Sequence, residues 1–233
     1  MSNHSIMKKI DSVFHKKVTG LKKQRNIIAE NKKILDLSGD RAIEWSWVIA
    51  NLPIEPSNIL DFGSVGSILS VSAYRLGHKV TSIDLQDVEY EIDPIKYIQS
   101  DISDIDFKNE KFDLIINCST IEHVGLEGRY GSKDLLDGDI EVMHKLSRLM
   151  HKDSKMILTI PIGLDDCYKP FHRIYGEERL PMLLKDFQIF VEEFWDKSSQ
   201  TNKWRKTSKE KAFIVKGNER YYALGLFILK RNI

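Results

Sequence analysis

Apolar residues fall in blocks along this chain, and the blocks predict alternating strands and helices. Ile59 to Phe62 and Val80 to Asp84 are short apolar runs, the pattern of strands buried on both faces. Between them Ile68 to Leu76 has apolar residues at helical spacing, and Gly77 closes that segment. Tyr97 and Ile98, Phe112 to Asn117, and Met156 to Ile160 predict three more strands, with a long helix from about Gly138 to Met150 before the last of them. Strands joined by helical crossovers form a parallel sheet that binds ligands at its carboxyl ends. After Ile160 the pattern changes. A short helix from Glu177 to Leu184 leads to two apolar runs, Phe187 to Phe194 and Tyr221 to Leu229, with no helix between them, so they pair antiparallel. The expected fold class is α/β: seven strands, mostly parallel, with an antiparallel C-terminal pair and helices on both faces.

The first strand ends in Asp61-Phe62-Gly63-Ser64-Val65-Gly66-Ser67, and the second ends in Asp84. A β-α-β unit of this form brings backbone close to a ligand at its glycine turn, while the carboxylate of the second strand accepts both hydroxyls of a ribose. A dinucleotide site calls for three glycines around a pyrophosphate, whereas this turn has Gly63 and Gly66 alone. Asp61 would repel a pyrophosphate and orient a positive amino group, which favours S-adenosylmethionine over NAD. These residues resemble the first motif of the class I, Rossmann-like S-adenosylmethionine-dependent methyltransferases, acid-x-Gly-x-Gly-x-Gly. Val65 stands at that motif's middle glycine and Ser67 at its last. The resemblance covers roughly residues 55 to 231.

The family's assignments carry over to matching positions. Asp61, Gly63, Gly66 and Asp84 belong to the cofactor site. Asp101, in Gln99-Ser100-Asp101-Ile102, matches an acid that bonds the adenine amino group, and Asn117 closes the fourth strand on the cofactor side. Glu122-His123-Val124 resembles the Glu-His-Val that follows this strand in many small-molecule O-methyltransferases. An alcohol needs a base in the transition state, and histidine, with a free pKa of ~6.5, suits that task. His123 is the expected base, and Glu122 orients its ring or serves the cofactor. Asn117 is followed by Cys-Ser-Thr rather than Pro-Pro-aromatic, which argues against methylation of base amines. Cys118 reads as a small buried residue.

Two loops follow the fourth and fifth strands and form an expected substrate wall. One holds Arg129, Tyr130, Asp134, Asp137 and Asp139, and the other Asp165, Asp166, His172 and Arg173. Arg129 and Arg173 are expected to grip a carboxylate or phosphate, with Tyr130 and His172 beside them. Asp165, Asp166 and His172 raise the question of a divalent metal, but surface acids in loops ordinarily bind none, and no metal is expected. These loops resemble, more narrowly, those of bacterial methyltransferases associated with surface-polysaccharide and other glycan synthesis. The expected activity is O-methylation of a sugar hydroxyl on a glycan or its nucleotide- or lipid-linked precursor. An RNA ribose methyltransferase and a cofactor-binding scaffold without catalysis are the alternatives.

Upstream, Arg41 to Asn51 reads as a helix stopped by Pro53, with Trp45 and Trp47 as core residues. Residues 1 to 33 carry nine Lys or Arg against Asp11 and Glu30, with Ile10, Phe14, Val18 and Leu21 at helical spacing. That describes a basic amphipathic helix, which packs on the domain edge, covers the cofactor, or docks on anionic lipid. Residues 1–54 thus form an expected helical extension or lid, and residues 55–233 the methyltransferase domain. The run from Ser198 to Lys211 is also basic, and its Trp204 suggests a face for a sugar or nucleotide. A formal net charge of +1 over 233 residues gives no global field for nucleic acid or membrane, so none is expected as the main partner. Two cysteines without metal or redox spacing, no signal-peptide pattern and no apolar run near 18 residues set the expectation of a cytoplasmic enzyme.

Overall fold

A computed structural model of the chain describes residues 34–88, 92–128, 130–131 and 133–232. The expected basic helix over Ile10 to Leu21 lies outside the described residues. The described residues divide into two units, a small one of residues 34–36 with Lys197–Lys203, and a large one of Leu37–Asp196 with residues 204–232. In the smaller unit, Lys197 Nζ pairs with Asp36 Oδ1 at 2.9 Å.

The larger unit is built on one mixed sheet. Its elements are α1 (Asp40–Ala50), β1 (Asn58–Phe62), α2 (Leu69–Arg75), β2 (Lys79–Asp84), β3 (Lys96–Gln99), β4 (Phe112–Cys118), α3 (Gly138–Arg148) and β5 (Met150–Ile162). They continue as β6 (Asp166–Tyr168), β7 (His172–Ile174), α4 (Arg179–Leu183), β8 (Phe187–Lys197), β9 (Trp204–Thr207), α5 (Lys209–Phe213) and β10 (Ala223–Arg231). The strand order is β3-β2-β1-β4-β5-β10-β8-β9, with β1 to β5 parallel and β10 antiparallel to both β5 and β8. This is the expected mostly parallel sheet with its antiparallel C-terminal pair. β9 adds an eighth strand at the edge, and β6 and β7 form a separate hairpin. Neither is long enough to show a period in sequence.

Both faces of the sheet are covered, which explains the continuous apolar runs. Leu60 and Phe62 of β1 and Ile115 of β4 share a cluster with Val142, Met143 and Leu146 of α3. Ile59, Leu114 and Ile116 point to the other face, against Val48 of α1 and Leu69 and Ala73 of α2. Trp45 and Trp47 pack on that second cluster. Each completely buried leucine or isoleucine contributes about 1.5–3 kcal/mol by leaving water. The basic stretch after Ser198 is engaged locally: Arg205 pairs with Asp196, Lys206 with Glu193 and Lys209 with Glu192 along β8. The Trp204 indole donates to Ser38 O at 3.1 Å, so it ties down the approach to α1. No helix among the described residues is long and apolar enough to cross a membrane.

Candidate active site

A cleft opens where β1, β2, β3 and β4 end. Its wall takes Gly63, Val65 and Gly66 from the turn after β1, Asp84 from β2, Asp101 after β3, and Cys118, Ser119, Thr120 and His123 after β4. Reversal of strand order beside β1 opens such a crevice, because the connections leaving β1 and β4 cross to opposite faces of the sheet. Six of the expected site residues therefore meet here: Gly63, Gly66, Asp84, Asp101, His123 and Tyr130.

Asp84 is the hub of the turn. Its Oδ2 accepts from Val65 N–H at 2.9 Å and its Oδ1 from Gln86 N–H at 2.9 Å. These bonds aim the carboxylate and leave each oxygen further lone pairs for hydroxyl donors. Gly63 and Gly66 both have φ of 77°, a conformation that suits glycine. They differ in surroundings. A Cβ on Gly63 would lie 2.1 Å from Thr120 Cγ2, whereas one on Gly66 would meet nothing within 4 Å. Asp101 lines the cleft while its Oδ1 caps the following 3-10 turn through Ser103 N–H at 2.8 Å.

Asp61 is not on the cleft wall. It is 1% exposed and accepts a 2.6 Å hydrogen bond from the Ser70 hydroxyl, so it joins the turn to α2 instead of facing a ligand. Burial pushes its carboxyl up to about 6, Asp84 adds to the rise and the Ser70 hydroxyl opposes it. The folded chain thus holds this proton more tightly than the unfolded chain does. Stability falls as pH rises from the ordinary carboxylate range through about 6, and above that the ionised buried group is a standing cost. Asp61→Asn keeps an acceptor for Ser70 and removes the charge. Calorimetric melting of the ligand-free variant should exceed the parent's by a few degrees at pH 8 and match it at pH 4, given about 2–4 °C per kcal/mol for a chain of this size. An equal or lower melting point at pH 8 would contradict this account.

His123 sits in a 3-10 turn, Ile121–His123, directly after β4. Its Nδ1 lies 2.5 Å from Phe171 O. A carbonyl oxygen only accepts, so Nδ1 carries a proton and Nε2 is the basic nitrogen of the neutral ring. Glu122 is fully buried beneath it, with Oε1 3.7 Å from His123 Nε2, and is not on the cleft wall. The Tyr130 ring meets the His123 ring edge-on, centroids 5.1 Å apart.

Other expected residues lie elsewhere. Asn117 is completely buried with its side chain toward Met143 of α3, because neighbouring residues of a strand face opposite sides and Cys118 takes the cleft side. His172 packs against Tyr222, centroids 4.8 Å apart, with Nε2 3.2 Å from Asn218 O. Arg173 is 3% exposed and its guanidinium is spent on backbone carbonyls, so it does not face an acceptor. Arg129 lies outside the described residues. Asp165 caps the approach to α4, accepting from the N–H groups of Gly176, Glu178 and Arg179. Burial and then the Glu44 carboxylate push the Cys118 thiol well up, leaving it neutral on the cleft wall.

The sequence reading missed Arg41 and Glu44 of α1. Glu44, fully buried, accepts from Ser119 Oγ, from Thr159 Oγ1 at 2.7 Å and from Arg41 Nη1 at 2.6 Å. It thereby fastens α1 to the ends of β4 and β5 and holds Arg41 at the cleft. Burial opposes the Arg41 charge, but Glu44 and Asp40 outweigh it and keep the guanidinium ionised beyond its ordinary range. The available signal was an acid four residues before Val48 on the buried stripe of a helix.

A family model described as "Caenorhabditis protein of unknown function, DUF268" matches residues 58–225. A stretch of 86 residues is 35% identical to the ubiquinone biosynthesis O-methyltransferase of Bartonella quintana (strain Toulouse), covering 33% of this chain and 34% of that protein. The chain thus spans about a third of the length of the curated relatives it matches. Among solved structures, the Burkholderia thailandensis 1,6-didemethyltoxoflavin-N1-methyltransferase, bound to 1,6-didemethyltoxoflavin and S-adenosylhomocysteine, is similar with a TM-score of 0.51 at 15% identity, over 100% of this chain and 92% of that one. The N-methyltransferase NodS of Bradyrhizobium japonicum WM9, in complex with S-adenosylhomocysteine, is similar with a TM-score of 0.52 at 11% identity, over 83% and 86%. The chain and these proteins share a Rossmann-like methyltransferase fold.

Proposed function

We infer that this chain, which belongs to the family described as "Caenorhabditis protein of unknown function, DUF268", binds S-adenosylmethionine and methylates an oxygen acceptor. The observation that carries the reading is the meeting of Asp84, Asp101 and the Gly66 turn with His123 in one cleft. The donor set suits this cofactor. Asp84 offers oriented lone pairs to ribose hydroxyls, Asp101 an acceptor to the adenine amine, and Arg41 a fork for the amino-acid carboxylate. The turn carries Gly63 and Gly66 with Ser67 after them, and so lacks the third glycine on which the pyrophosphate of a dinucleotide settles. When bound, S-adenosylmethionine supplies an activated sulfonium methyl group.

The chain's own work is to hold the acceptor and move its proton. His123 Nδ1–H is fixed on Phe171 O, so Nε2 takes the hydroxyl proton as the acceptor oxygen attacks. The buried Glu122 carboxylate balances the charge of the resulting imidazolium. Trp45 and Tyr130 supply ring faces on the cleft wall, and Lys133 supplies a cation. That combination supports a sugar hydroxyl next to an anionic group, on a glycan or its nucleotide- or lipid-linked precursor. The test is methyl transfer from S-adenosylmethionine to a panel of nucleotide sugars, acidic glycan fragments, phenols and short RNAs. Transfer to acidic sugars is expected; transfer to RNA or to phenols alone would overturn the acceptor assignment.

A further inference from the structure

Arg173 is one of the most completely buried cations in the described chain, and the base mechanism above gives it no task. Its side chain leaves β7, and its Nη1 donates to Val124 O. Nη2 donates to Leu135 O at 3.1 Å and Leu136 O at 3.3 Å. Val124 follows His123 in the chain, and Leu135 and Leu136 close the loop that begins at Gly125. That loop has a tight neck: Leu135 N–H donates to Gly125 O at 3.0 Å, and a Cβ on Gly125 would lie 2.4 Å from Leu135 O. One planar fork therefore gathers carbonyls from both sides of the neck. A lysine, with a single ammonium, has no such set of fixed donor directions.

The same arginine stands two residues after Phe171, whose carbonyl meets His123 Nδ1. Its guanidinium thus fixes both ends of that contact, the ring through Val124 and the carbonyl through β7. Asp139, fully buried, supplies the counter-charge at 3.8 Å and is itself held by Arg179 through bonds of 2.6 and 3.0 Å. An exposed tie, Lys169 to both oxygens of Asp134 at 2.7 Å, runs between the same two loops but is half solvated and weak.

We propose that Arg173 is a positioning residue for proton transfer: it locks the His123 turn to the β6–β7 hairpin so that Phe171 O keeps the ring in its Nδ1–H tautomer, with Nε2 as the base. This rests on the proposed role of His123, but tautomer and turnover are read separately. The experiment is nitrogen NMR of histidine-labelled full-length protein, with the His123 signals assigned by His123→Gln, alongside steady-state kinetics. In the parent, the neutral ring is expected to be Nδ1-protonated. Arg173→Lys should give a mixture of tautomers, a kcat lower by at least about tenfold, a shifted pH profile, and a KM for S-adenosylmethionine within about twofold. Arg173→Met is the second variant: Asp139 keeps Arg179, so no buried charge is stranded, and the same changes are expected. An Nε2-protonated neutral ring in the parent overturns the proposal, as does a folded variant with unchanged tautomer and kcat. If no acceptor is methylated by the parent, the enzyme reading fails while the tautomer comparison still decides the positioning.

Discussion

His123→Ala is expected to lower turnover roughly 10²- to 10⁴-fold while leaving affinity for S-adenosylhomocysteine within about twofold, the signature of a lost general base. The expectation comes from the ring's place on the cleft wall and from its fixed Nδ1–H bond to Phe171 O. Glutamine at this position can keep a donor for Phe171 O but has no basic nitrogen, so His123→Gln should be nearly as slow. The parent's rate should also fall as pH drops and the imidazole fills with protons, and that acid limb should vanish in both variants. Loss of cofactor affinity in His123→Ala, measured by calorimetry on folded protein, would show that the ring shapes the pocket instead.

The second large effect is expected at Asp84. Asp84→Ala removes the acceptor of Val65 N–H and Gln86 N–H and, with it, the group proposed to take the ribose hydroxyls. Hydrogen bonds to a charged group contribute about 1.5–3 kcal/mol, so the dissociation constant for S-adenosylhomocysteine should rise by roughly 10- to 150-fold. Asp84→Asn separates two contributions. The amide oxygen still accepts from Val65 N–H and the turn persists, so any affinity lost there reports the missing carboxylate. Affinity equal to the parent's in both variants would remove the ribose assignment.

Much of the fold was legible because strands buried on both faces must be apolar throughout, and β1, β2, β4 and β5 read that way. The positions of residues near the ends of those strands were legible for the same reason: Asp84 closes β2, and Gly66 and His123 stand in the segments that follow β1 and β4. What failed depended on side-chain direction. Asp61 and Asn117 are one residue from positions that face the cleft, and alternation along a strand turns them toward Ser70 and Met143. Arg173 was misread because a basic residue in a polar loop resembles an exposed anion grip. Its burial depends on carbonyls of Val124, Leu135 and Leu136 and on Asp139, more than thirty positions away. The two-strand hairpin that carries it is too short to leave a periodic trace. Arg41 and Glu44 were hidden differently, inside a helix whose tryptophans drew the reading toward packing alone.

Calorimetric titration of the purified chain with S-adenosylhomocysteine and with NAD decides whether the Asp84 cleft holds S-adenosylmethionine or a dinucleotide. One saturable site for S-adenosylhomocysteine is expected, weakened at least tenfold in Asp84→Ala, with no competing occupancy by NAD. Saturable binding of NAD with no heat from S-adenosylhomocysteine would contradict the S-adenosylmethionine assignment.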